Sequence, residues 1–92
     1  SEKFQESLIL YQSGYKITVS QSLIAFCSSL VANGETDTII IDDNNMPVKI
    51  DNLGDFSDHI LELYNNATQE YLNQVENLKK QRSVEKLIEY EQ

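Results

Sequence analysis

No tryptophan, one cysteine, one histidine and one proline occur among the 92 residues, and each scarcity closes off a class of chemistry. A single cysteine forms no internal disulfide, and Cys27 lies in an apolar stretch where a small buried hydrophobe is expected rather than a reactive thiol. His59 has Asp55, Asp58 and Glu62 within helical reach but neither a second histidine nor a cysteine nearby. It reads as a solvent-facing residue near a helix start, so no metal site is expected. No run approaches the ~20 consecutive apolar residues of a membrane-spanning helix, and the segment from Ser1 to Glu6 lacks the basic-then-apolar layout of a secretory signal. A soluble protein with no membrane partner is expected. Cations are also few: seven Lys and Arg stand against 15 Asp and Glu, a net charge of -8 that repels a phosphate backbone, so nucleic acid is not an expected partner.

What the chain does have is periodicity. Its length suits one small domain, residues 1–92, in which residues 1–14 form either a flexible or a separately packed N-terminal segment. Phe4, Leu8 and Tyr11 have helical spacing, while Leu8-Ile9-Leu10-Tyr11 reads equally as a short buried strand, and Gly14 ends either one. Lys16-Ile17-Thr18-Val19 alternates polar and β-branched residues and suits a short strand or an extended entry. Ser20 or Ser22 offers an N-cap. Leu23, Phe26, Cys27, Leu30 and Val31 then follow at the spacing of one helical stripe, which Asn33-Gly34 ends. Thr38 to Ile41 and Met46 to Ile50 are two extended runs around Asp42-Asp43-Asn44-Asn45, which predicts a β-hairpin, with Pro47 at the start of its strand or on an edge. Residues 16–19 are the candidate third strand.

The longest periodic segment is expected to start near Asp55. Phe56, Ile60, Leu63 and Ala67 make one apolar row, and Leu61, Tyr64, Thr68, Tyr71, Val75 and Leu78 make a second with alternating three- and four-residue steps. The early half can cover the hairpin and first helix. Tyr71, Val75 and Leu78 extend beyond it and require another cover. One reading supplies it internally: a turn near Gln81-Arg82 and a short helix capped by Ser83, with Val84, Leu87 and Ile88 folded back. The other is a single uninterrupted helix whose distal half associates with a second copy. The fold class is therefore α+β: helix, two-stranded hairpin, long helix and short C-terminal helix.

Two further motifs fail on composition. The acidic turn resembles a calcium loop, but Met46 and Pro47 stand where an EF-hand needs a ligand or its glycine. Asn66-Ala67-Thr68 satisfies the glycosylation triplet, yet lies inside a predicted helix. No catalytic, cofactor-binding or metal-binding residues are assigned, and no enzyme is expected.

The order of these features, an apolar helix closed by Gly34, the turn at Asp43-Asn44-Asn45, the return strand Val48-Lys49-Ile50, the long helix, then Leu78 and Ser83-Val84-Glu85-Lys86-Leu87-Ile88, resembles the small domain of unknown function found in bacteriophage tail and tail-fibre-associated proteins. The resemblance covers about residues 15–91. It departs at Ile39-Ile40-Ile41, where family members usually carry an aromatic residue, and in a long helix poorer in alanine. It implies a non-catalytic tail-associated structural or accessory module, in the virion or the host cytoplasm, binding tail components or itself as a homo-oligomer. Tyr64, Tyr71 and Val75 are the expected interface residues, because tyrosine combines large contact area with low entropic cost. The second reading is a small acidic inhibitor from a mobile element that sequesters a host factor.

Overall fold

The computed structural model describes residues 8–91, with side chains through Ser83. Two antiparallel hairpins and two helices follow one another along the chain: β1 (Ile9–Gln12), β2 (Tyr15–Thr18), α1 (Gln21–Ala32), β3 (Thr38–Ile41), β4 (Pro47–Ile50) and α2 (Leu53–Glu91). The α+β class of the sequence reading is correct.

The first hairpin resolves the ambiguity of the first thirteen residues in favour of a strand from Ile9 to Gln12, while Phe4 and the rest of residues 1–7 lie outside the described residues. Gln12 pairs with Tyr15, leaving a two-residue loop of Ser13 and Gly14 with φ of 52° and 82°. Two successive left-handed residues make the tight turn whose twist matches that of the strands it joins, and Gly14 adopts it without a Cβ penalty. Tyr15–Thr18 is thus a strand, but its partner is β1. It forms a second two-stranded sheet instead of extending β3–β4. One residue bonds the two sheets together, through its side chain and its backbone. Asp43, in the turn of the second hairpin, accepts from Thr18 N at 3.0 Å and Thr18 Oγ1 at 2.6 Å, while its own N–H donates to the Lys16 carbonyl at 2.9 Å.

The second hairpin has the expected ends. Ile40 and Val48 pair on the buried face, Ile39 and Lys49 on the exposed one, and Pro47 opens β4, where its missing N–H costs least. Asp42 is buried and holds the turn by accepting from Asn44 N at 2.9 Å and Met46 N at 2.7 Å. Asn45 takes the left-handed conformation, with φ of 63°.

Ser20 caps α1, its Oγ accepting from Leu23 N at 3.1 Å. At the other end Gly34, with φ of 85°, donates to the Val31 carbonyl and Glu35 donates to the Leu30 carbonyl, the paired bonds of a Schellman motif. The buried side of α1 is rotated from the expected stripe: Cys27 is fully buried and Leu23, Ile24 and Leu30 are half-buried, while Phe26 and Val31 face outward. The apolar arc is wider than its neighbours can cover, and Ile24 takes the inward place expected for Phe26.

Helix α2 starts two residues before Asp55. Asn52 is its cap, with Oδ1 accepting from Asp55 N at 3.2 Å and Nδ2 donating to the Asp55 carboxylate at 2.9 Å. Gly54 falls in the first turn and does not break it. The core gathers Leu8 and Ile17 from the first hairpin, Ile40, Val48 and Ile50 from the second, Cys27 from α1, and Leu53, Phe56, Ile60 and Ala67 from α2. No turn occurs at Gln81-Arg82, and the folded-back terminal helix is absent: α2 continues unbroken to Glu91. The reason lies in composition. No glycine follows Gly54 and no proline follows Pro47, and Lys79-Lys80-Gln81-Arg82 are strong helix formers that outweigh the capping tendency of one serine. At 1.5 Å per residue the helix is about 58 Å long, in a molecule measuring 63 × 27 × 16 Å.

Candidate functional site

The site is built on α2 because that helix outruns the body. Leu53, Phe56, Ser57, Ile60 and Ala67 are buried, Leu63 and Tyr64 half-buried, and from Thr68 to Ser83 no residue is buried. The first apolar row is therefore core. The second changes character along its length: Leu61 is exposed beside the core, Tyr64 and Thr68 are half-buried at its border, and Tyr71 and Leu78 stand 45% and 60% exposed beyond it.

The expected interface residues divide accordingly. Tyr64 lies against the core cluster, whereas Tyr71 and Val75 lie on the projecting part, Val75 half-buried among its helical neighbours. Val75, Leu78, Lys79 and Arg82 line a shallow groove on this part. Sequence reasoning missed Leu72, which is 47% exposed and adjoins the row. Its signal was available, as an apolar residue next to Tyr71 with no place in the core row.

Polar chemistry on the rest of the row is settled locally. The Thr68 hydroxyl lies 3.0 Å from both the Tyr64 and Asn65 carbonyls and donates within its own helix. On the opposite face Gln69 Nε2 donates to Asn73 Oδ1 at 3.1 Å. From Thr68 to Ser83 the helix thus carries a narrow apolar stripe on an otherwise polar surface, the form of a helix–helix seam.

The other candidates are placed as follows. His59 is exposed on the wall of a cleft of about 400 Å³ where the turn of the first hairpin faces the start of α2, beside Asp51 and Asp55. The Asp55 carboxylate is engaged by Asn52, and among the described residues no three His, Cys, Asp or Glu side chains come together to hold a metal. Asp42 Oδ1 accepts from the Asn44 and Met46 N–H groups and both Asp43 carboxylate oxygens accept from Thr18, which fixes the turn as a structural clamp. Burial pushes the Cys27 thiol up from its ordinary value, so its thiolate form is disfavoured at neutral pH. No described helix is long and apolar enough to cross a membrane.

Comparison with family models, with curated proteins and with solved structures gives no match.

Proposed function

We propose that the chain is a non-catalytic module that acts through protein–protein contact, with the part of α2 beyond Ala67 as its working surface. The observation that carries this reading is the run of exposed apolar side chains, Tyr71, Leu72 and Leu78, on a helix that has already left the core. About 24 further residues of α2 follow Ala67, and most of the stability of a helix in a protein comes from packing its apolar face rather than from propensity. A partner surface supplies the missing burial. The setting in a bacteriophage tail rests on the resemblance of residues 15–91. The net charge of -8 favours a second reading, an acidic inhibitor that captures a host factor.

The test compares the wild-type chain with Tyr71→Ala/Val75→Ala in binding to purified tail components and to host lysate. Stripe-dependent binding of tail components supports the first setting, and stripe-dependent binding of one host factor supports the second. Association that is identical for both chains removes the distal helix from the function.

A further inference from the structure

The heptad steps of the exposed row say more than that something binds. This inference rests on the reading of α2 as an interaction element and names its occupant: we propose that residues 61–78 of α2 pair with a second copy of this chain in an antiparallel coiled coil, with Leu61 of each copy against Leu78 of the other.

Leu61, Tyr64, Thr68, Tyr71, Val75 and Leu78 alternate three- and four-residue steps, which places them at the two seam positions of successive heptads. The row is centred between Gln69 and Glu70. Reversing one copy about that point sets Leu61 against Leu78, Tyr64 against Val75 and Thr68 against Tyr71, so every seam residue meets another. Thr68 brings no unpaired hydroxyl to this seam, because its own helix already accepts that proton.

Charge chooses the direction. From Leu53 to Asn77, α2 carries Asp55, Asp58, Glu62, Glu70 and Glu76 with no lysine or arginine, and then Lys79, Lys80 and Arg82 follow within four residues. In a parallel pair those three cations lie beside their own copies. In the antiparallel register, exposed Lys79 flanks the seam next to exposed Asp58 of the other copy, and the contact occurs twice by symmetry. The polar face with Gln69 and Asn73 stays in water.

Sedimentation over a wide concentration range is expected to show a dimer of this 10.5 kDa chain. Lys79→Asp should weaken it roughly tenfold, and Asp58→Lys combined with Lys79→Asp should restore it. Both positions are exposed, so neither change threatens the fold. Spin labels on Lys80→Cys, in a Cys27→Ala background, report direction. In the antiparallel pair Lys80 lies across from His59 of the other copy, which offsets the labels by about 30 Å along the axis, whereas a parallel pair holds them within roughly 20 Å. The short distance, or failure of the charge swap to restore the dimer, overturns the proposal. So does a monomer at every concentration. If that monomer still binds another protein through the stripe, self-pairing is refuted while the interaction reading stands; if it does not, both fall.

Discussion

The two halves of α2 share one backbone geometry and nearly the same apolar periodicity, yet they belong to different structures. From Leu53 to Ala67 the helix lends Leu53, Phe56, Ile60 and Ala67 to a core shared with both hairpins and α1. From Thr68 to Ser83 no residue is buried. The difference lies in the width of the apolar face. Two adjacent rows, led by Phe56 and Leu61, coexist up to Thr68 and make a stripe broad enough to seat on a globular body; from there to Ser83 only the seam of Tyr71, Val75 and Leu78, with Leu72 beside it, continues. A broad face is satisfied within the molecule, and a narrow one suits a single partner helix.

The sharpest way to break this comparison is to truncate equivalent apolar residues on either side of Ala67. Ile60→Ala empties space in the fully buried core and should cost about 2–5 kcal/mol, a large share of a small domain's total stability. Urea unfolding at low protein concentration measures it. Leu78→Ala under the same conditions should leave the transition of the monomeric core within about 0.5 kcal/mol, because the side chain is already largely exposed. An equal loss from the two would erase the distinction between the halves.

The next largest effect concerns how the body is held together. Asp43→Ala removes both bonds to Thr18 that join the two hairpins and should destabilise by about 1–3 kcal/mol, with the first hairpin losing protection before the second. Site-resolved hydrogen exchange distinguishes this from uniform loosening. Lys49→Ala, which breaks an ion pair with Asp37 at 3.1 Å between half-exposed side chains, should cost under about 1 kcal/mol.

Cys27 marks the core boundary in a different way. Its thiol is raised by burial, so the neutral form is the folded one; the stability this contributes is fully present below the thiol's unfolded value and declines as pH rises through the higher folded one. Alkylation at neutral pH should follow global unfolding, and labelling as fast as that of a free thiol would place Cys27 outside the core.

Much of this was legible in the residues. The hairpin around Asp42 to Asn45, the Gly34 terminus and the core row from Phe56 to Ala67 each followed from a local signal, and the cap of α1 was narrowed to Ser20 or Ser22, of which Ser20 is the one used. The first hairpin was harder, because Ile9 to Gln12 is short and Ser13 is an uncommon residue in a left-handed position; the turn shows itself only in paired strands. The terminal helix was misjudged because a serine was given the weight of a boundary in a segment with no helix breaker. The inward side of α1 depended on which neighbours surround it, which no pattern within Leu23 to Val31 reveals. Tyr71 and Val75 were identifiable from spacing, but whether they would be covered depended on a chain path decided ten residues later.

The most direct measurement is amide hydrogen exchange along α2 as a function of protein concentration. Amides from Phe56 to Ala67 should show the same slow exchange at every concentration, since their protection comes from the core, while those from Thr68 to Ser83 should exchange quickly in dilute solution and slow markedly as a second copy becomes available. Protection of the distal half that does not change with concentration would contradict the division of α2 into a half the fold completes and a half a partner copy completes.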